Sequence, residues 1–372
     1  MRCLVQPHKV WKVPELAALT ETRPVTCRHS SVRSVPARDD GEGKTMSRTM
    51  RALSITGITP AGQARLTEVP IPTAKPGWVL VRVRGIGMNH SEWELRHDEI
   101  RENYITHPII PGIEGVSEVV DASDQPFVVG QKVCMLMGGM GRTWDGSYAE
   151  YCLVRADHLF AIPQTACGLP WATLAAIPET FFTAWGSLFE CLQLTADDTL
   201  MIRGASCGLG YAAIQIATAL GARVIATTHR DKYFALLKQF GADELVLDDG
   251  KLAGAGVRAD KVLELIGPKT LRDSLGCLNH GGICCDTGIL GGEFTLDAFD
   301  PIKGIPNGCY LTGFFSNYPT QQVMDEIFSF VAEHSIEPLV AQVFDFDHLP
   351  DALALQDAGG FQGKLVIVNE TA

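Results

Sequence analysis

The chain has 372 residues, enough for two or three domains and a sizeable core. Hydrophobic residues at 46% and charged residues at 20% are ordinary globular usage, which excludes a disordered, collagen-like or small disulfide-rich chain. The net charge of −12 argues against a nucleic-acid partner, because phosphate backbones need a basic face. That charge is uneven: residues 1–45 carry 8 Lys and Arg against 5 Asp and Glu, so the remaining body stands at −15. The eleven cysteines are odd in number and scattered, with no C-x-x-C pair. Reduced thiols in a reducing, cytoplasmic compartment are the simplest expectation. No run of about 18 apolar residues is present, so no membrane span is expected, and with no secretory h-region at its start no secretory signal is expected.

Residues 1–45 lack periodicity and contain Pro7, Pro14, Pro24 and Pro36. They read as a disordered extension or as sequence upstream of the true start, with Met46 and Met50 just before the first regular segment. A mitochondrial transit peptide is the alternative, suited by Arg2, Arg23, Arg28 and Arg33 with Ser30, Ser31 and Ser34 but opposed by Glu15, Glu21 and the prolines. From Met50 to about Leu169 the pattern is strand-like: Val79 to Arg84 alternates, and Gly115 to Val120 is β-branched. The rhythm then changes. Strand Leu200–Arg203, helix 209–220, strand Arg223–Thr227, a helix near 231–240, strands Leu245–Leu247 and Lys261–Leu265, a helix near 270–278 and strand Gly282–Asp286 follow in turn. Strands alternating with helices predict a parallel, doubly wound sheet. A helix near 320–333 and a last strand Lys364–Val368 complete the chain.

The most informative segment is Arg203-Gly204-Ala205-Ser206-Cys207-Gly208-Leu209-Gly210, between a strand and a helix. A glycine-rich turn there lets backbone approach a pyrophosphate, and the helix N-terminus directs free N–H groups at the anion. Dinucleotide binding is therefore expected at Gly204, Ala205, Ser206, Gly208, Leu209 and Gly210. The end of the second strand carries Thr227, Thr228, Arg230 and Lys232 where NAD binders usually place an acid. Two cations suit the 2′-phosphate of NADPH, although Asp231 is in reach of a ribose. Leu265-Ile266-Gly267 and Thr287-Gly288-Ile289-Leu290 end later strands, at the edge where such sheets bind ligands, so Ile266, Gly267, Gly288, Ile289 and Leu290 join the cofactor set.

With these segments the chain resembles the medium-chain dehydrogenase/reductase superfamily, most closely its zinc-free quinone oxidoreductase branch. The resemblance runs from Met50 to Val368. It rests on Gly87-Met88-Asn89-His90-Ser91-Glu92, Pro111-Gly112-Ile113-Glu114-Gly115, Asp145-Gly146-Ser147-Tyr148-Ala149-Glu150-Tyr151, Thr183-Ala184-Trp185, the phosphate loop and Gly363-Lys364. It implies an α/β fold: a β-rich GroES-like catalytic domain over 46–171 and 312–372, and a doubly wound Rossmann domain over 172–311. It implies that His90, Thr183, Phe314 and Lys364 contact the cofactor, and that two chains associate as a homodimer, by strand pairing near 309–314. Zinc relatives carry Cys at position 89 and His at 113; here stand Asn89 and Ile113, with Glu179 at the third ligand position. Ile cannot ligate and a neutral amide is a poor ligand, so no metal is expected.

Without zinc, alcohol oxidation loses its Lewis acid, whereas a quinone or enone accepts hydride with help from hydrogen bonds alone. By the resemblance Asn89 is the donor and Ser91 a hydroxyl relay; Tyr148 and Arg142 are further candidates. Each has a structural alternative: Ser91 as a helix cap, Tyr148 as core, Arg142 as a solvated loop charge, His90 as a surface residue. Cys284 and Cys285 read as core residues rather than a redox pair. The expectation is an NADPH-dependent oxidoreductase acting on a small quinone or activated C=C. The alternatives are a 2-enoyl thioester reductase and a non-catalytic NADPH-binding protein.

Overall fold

The computed structural model describes residues 48–370. The expected N-terminal extension over 1–45 lies outside the described residues. Two sheets organise the chain. The first runs in the order Val340–Asp345, Lys364–Val368, Trp78–Met88, Glu114–Asp121, Lys132–Leu136 and Leu159–Ala161, with Tyr151–Arg155 also paired to Trp78–Met88. All its pairings are antiparallel except Val340–Asp345 against Lys364–Val368. The long strand Trp78–Met88 buries Val79, Val81 and Val83 on one core face and, past a register shift between Val83 and Gly85, Ile86. This is the GroES-like sheet.

The second sheet is parallel throughout, in the order Glu244–Leu247, Arg223–Thr228, Thr199–Arg203, Ala259–Glu264, Leu278–Asp286 and Tyr310–Gly313. That is the doubly wound, Rossmann-like arrangement, and its two middle strands bury Leu200, Met201 and Ile202 and Val262 and Leu263 completely because both faces are covered. The chain order 3-2-1-4-5-6 places the strand before the glycine loop at the topological switch point. The last strand straddles the expected 311/312 division. Near 231–240 the expected helix is broken into a 3-10 turn, Asp231–Tyr233, and a short α-helix, Phe234–Gln239.

One helix, Pro178–Trp185, links the two sheets. Proline at its first turn fixes the start, where a missing N–H costs nothing. Phe181, Phe182, Ala184 and Trp185 are buried, in a core that also takes in Val116 and Leu136 of the first sheet and Leu200 and Ile202 of the second. At about 1.5–3 kcal/mol for each large apolar side chain, this packing holds the two sheets together. A six-residue π-helical turn, Gly186–Cys191, continues it.

Candidate functional site

The site is built on the N-terminus of helix His90–His97. Asn89 is its N-cap, in extended conformation, and its backbone N–H donates to Glu92 Oε2 at 2.7 Å. The cap is thus Asn89, and Ser91 lies inside the first turn, so the reading of Ser91 as the cap does not hold. Glu92 is fully buried; its other oxygen accepts from the Ile113 N–H at 2.9 Å, which ties the helix to the Pro111–Gly115 segment. Burial pushes the Glu92 carboxyl above the usual range.

The Asn89 side chain enters a buried polar cluster drawn from four distant segments. Its Nδ2 donates to Glu114 Oε1 at 2.8 Å, and Lys364 Nζ donates to its Oδ1. Lys364 Nζ also lies 2.6 Å from Glu114 Oε1 and donates to Thr180 Oγ1 at 2.9 Å. Glu114 Oε2 accepts the Glu179 N–H at 2.9 Å, at the start of the linking helix. Thr183 Oγ1 then donates to Glu179 Oε1 at 2.9 Å. Glu114 is fully buried and Lys364 is 6% exposed. Burial pushes the Glu179 carboxyl up, and the Lys364 ammonium 3.9 Å away opposes that rise.

This network fixes the Asn89 amide without ambiguity. An ammonium can only donate and a carboxylate can only accept, so Oδ1 must face Lys364 and Nδ2 must face Glu114. One Nδ2 proton is bound to Glu114, leaving the second for another acceptor. Gly87 makes the close approach possible: a Cβ there would lie 2.6 Å from Glu114 Oε1 and 2.7 Å from Lys364 Cε.

Arg142 does not stand free in its loop. Its Nε donates to Glu99 at 3.0 Å, and its Nη2 donates to Ser91 Oγ at 2.8 Å and Ser91 O at 2.9 Å. Ser91 Oγ therefore accepts from a cation, and its own proton is turned away from Arg142. Tyr148 is elsewhere: it is fully buried in the interior of the first sheet, and its hydroxyl has no hydrogen-bond partner among the described residues. Burial holds its phenol well above the ordinary value, and its hydroxyl makes no hydrogen bond to the cluster. His90 is exposed, stacked on Trp93 with ring centroids 5.1 Å apart.

The glycine loop caps helix Gly208–Leu220. Gly204 has φ +80°, and Ala205 N–H donates to Thr227 O at 2.9 Å. A Cβ on Gly210 would sit 2.2 Å from Ala205 O, so only glycine fits there. Gly208 by contrast faces space, with nothing closer than 3.9 Å to an added Cβ. Leu209 is half-buried beside it. Such a cradle, with free N–H groups at a helix N-terminus, fits a pyrophosphate. Gly208, Thr180 and Lys364 line one recess of about 10 Å³, so the loop and the buried cluster adjoin. Ser206 Oγ and Thr228 Oγ1 are 3.0 Å apart. Arg230 and Lys232 are exposed, and neither pairs with a carboxylate among the described residues. The two cations hold the neighbouring Tyr233 phenol below its ordinary value, against the opposing pull of burial.

Ile266, Gly267, Gly288, Ile289 and Leu290 form one edge. Leu290 N–H donates to Leu265 O at 3.1 Å, and a Cβ on Gly288 would lie 2.2 Å from that same oxygen. Ile289 and Leu290 are exposed. Phe314 packs its ring on Gly186 and edge-on to Phe182, at 5.8 Å.

Sequence reasoning missed two buried charges beneath the loop. Arg203, with no exposed side chain, donates to Asp248 at 2.8 and 2.9 Å and to Asp273 at 2.8 Å. Burial works to raise the Asp248 carboxyl, but the Arg203 hydrogen bonds hold it below the usual range. Glu264 accepts from the N–H groups of Ile266 and Gly267 at 2.7 and 3.1 Å, and shapes that turn. The signal available was an arginine ending an otherwise apolar strand.

Two family models match: the alcohol dehydrogenase GroES-like domain over residues 75–164, and zinc-binding dehydrogenase over 208–333. The chain is 27% identical over 339 residues to an alcohol dehydrogenase of Geobacillus stearothermophilus, covering 82% of this chain and 95% of that one. It is 28% identical over 253 residues to the human quinone oxidoreductase, covering 64% and 72%. The quinone oxidoreductase structure from Coxiella burnetii superposes with a TM-score of 0.73 at 22% identity, covering 86% of this chain and 99% of that one. That last likeness bears on the fold alone.

A catalytic zinc does not fit the residues at the cluster. The three positions hold an amide already engaged on both sides, the carbon side chain of Ile113, and Glu179. The Lys364 ammonium already supplies the positive charge between Glu114 and Glu179. Among the described residues no group of three His, Cys, Asp or Glu side chains is arranged to hold a metal ion.

Proposed function

The chain belongs to the zinc-binding alcohol dehydrogenase-like medium-chain dehydrogenase/reductase superfamily, quinone oxidoreductase-like, and from that premise we propose a metal-independent, NADPH-dependent reductase of quinones or enones. The superfamily is one of oxidoreductases that use a nicotinamide cofactor, which when bound would supply hydride to the substrate. The observation that carries the reading is the fixed Asn89 amide, with one N–H left over, held by a Lys364 that lines one recess with Gly208 of the glycine loop.

In this reading the spare Nδ2 proton of Asn89 donates to the substrate oxygen on which negative charge develops. A donor held rigidly in place costs no reorganisation as that charge grows. Glu114 and Lys364 are positioning residues, since they touch Asn89 rather than the substrate. Arg142 orients the Ser91 hydroxyl so that its proton points outward, for delivery to the reduced oxygen. Helix N–H groups at Gly208 and Leu209 hold the pyrophosphate, the Gly210 N–H being engaged by Cys207 Sγ at 3.4 Å, and Thr183, Ile266, Gly288, Ile289 and Leu290 border the nicotinamide.

Ser206, Thr228, Arg230 and Lys232 favour a 2′-phosphate. One charge-assisted hydrogen bond of about 1.5–3 kcal/mol corresponds to roughly ten- to 150-fold preference. Asp248 beside this strand end is taken up by Arg203, which leaves the exposed Asp231 as the acid that a ribose would meet. The test is NADPH oxidation against a panel of quinones, enones and enoyl thioesters in the presence of a chelator. Turnover with a quinone or enone that survives chelation is expected. Turnover with none of them, or its loss on chelation, overturns the reading.

A further inference from the structure

Cys285 has two cysteine neighbours. Cys284 precedes it in sequence on strand Leu278–Asp286, but alternate residues of a strand face opposite sides, and the two thiols enter different cores. The neighbour on its own side is Cys191, the last residue of the π-helical turn Gly186–Cys191. Cys285 Sγ lies 3.3 Å from Thr287 Oγ1, and Thr287 Oγ1 lies 2.9 Å from Ser187 Oγ, four residues before Cys191. Cys191 Sγ lies 3.5 Å from Gly313 O, on the strand whose Thr312 is paired in register with Cys285. The two thiols thus share one neighbourhood, with Cys191 against Gly313 and Cys285 in register with the adjacent Thr312. Cys285 is fully buried and Cys191 is partly exposed, so an oxidant has access to one of the pair.

We propose that Cys191 and Cys285 are a peroxide-sensitive thiol pair that closes to a disulfide between the π-helical turn and the strand Leu278–Asp286. Cys191 is the attacking sulfur. The proximity of Cys285 lowers its thiol below the ordinary value, while that of Cys191, together with burial, raises Cys285. The Cys191 thiolate displaces hydroxide from hydrogen peroxide and becomes a sulfenic acid. The Cys285 sulfur then attacks the Cys191 sulfur, and its proton leaves with the departing hydroxyl as water. Two thiols are oxidised by two electrons and one peroxide is reduced to two waters. The bond would reach the candidate site through Ser187, which donates to Thr183 O at 2.7 Å and contacts Thr287 at the start of the Thr287–Leu290 edge.

The test is peptide mapping of the full chain under non-denaturing peroxide, with thiol counting before and after. The expected result is loss of two titratable thiols, a linked peptide pair assigned by fragmentation to Cys191 and Cys285, and full reversal by dithiothreitol. Cys191→Ser, or Cys191→Ala should the serine variant fold poorly, abolishes the link, while Cys284→Ser still forms it. Iodoacetamide at neutral pH is expected to label Cys191 at least ten times faster than Cys284. A link between Cys284 and Cys285, or a Cys191 sulfenic acid that dimedone traps without conversion to a disulfide, overturns the proposal.

Discussion

Lys364→Met removes the cation of the buried cluster and leaves its shape nearly filled. In the native protein the ammonium lies 2.6 Å from a fully buried Glu114 and donates to Asn89 Oδ1 and Thr180 Oγ1. Removing one partner of a buried ion pair strands the other, at a cost of about 3–5 kcal/mol. That lowers the folding equilibrium constant by about two to three and a half powers of ten. The loss depends on pH, and its sign follows from Glu179, whose carboxyl burial already raises and whose rise Lys364 opposes. Without Lys364 that carboxyl rises further, so the folded variant keeps its proton to higher pH than the unfolded chain. Stability then falls as pH rises through the folded value, and the deficit is larger at pH 8 than at pH 5. Urea unfolding of both proteins at the two pH values measures it. The double variant Lys364→Met/Glu114→Gln should recover at least about 1 kcal/mol, because it removes the stranded charge. A deficit under about 1 kcal/mol, or one equal at both pH values, refutes the reasoning.

Other consequences follow from the same geometry. Gly210→Ala forces a Cβ to 2.2 Å from the Ala205 carbonyl, so the loop must shift; more than tenfold weaker cofactor binding is expected in a fluorescence titration. Arg230→Ala or Lys232→Ala should weaken NADPH by roughly tenfold and leave NADH within about twofold, since each loses one charge-assisted contact. Asp286, raised to about 6 by burial and then by Glu264, binds its proton more tightly folded than unfolded. Native stability should therefore decline between about pH 4 and 6, and Asp286→Asn should flatten that slope in a melting series.

Contiguous features were legible before the fold was known. The glycine loop and the strands and helices around it are local patterns, and Gly208–Leu220 starts within one residue of its expected place. The Rossmann-like alternation and the last strand Lys364–Val368 were equally plain. The cluster was not, because Asn89, Glu114, Glu179 and Lys364 meet only through tertiary pairing of distant strands. Lys364 read as a cofactor cation, and its buried partners were invisible. Asp248 is held by Arg203, which a linear reading cannot pair with it. Tyr148 looked like a phenol in a glycine-rich stretch, and only burial distinguishes it from a donor. Cys285 was weighed against its sequence neighbour, while its spatial neighbour stands 94 positions away.

The central claim is that a metal-free site polarises its substrate through the Asn89 amide. Single-turnover and steady-state rates of Asn89→Ala with NADPH and the best quinone or enone acceptor test it most directly. Loss of one such donor is expected to lower kcat by about 10²–10³, with NADPH affinity unchanged. A variant that keeps its kcat would contradict the account.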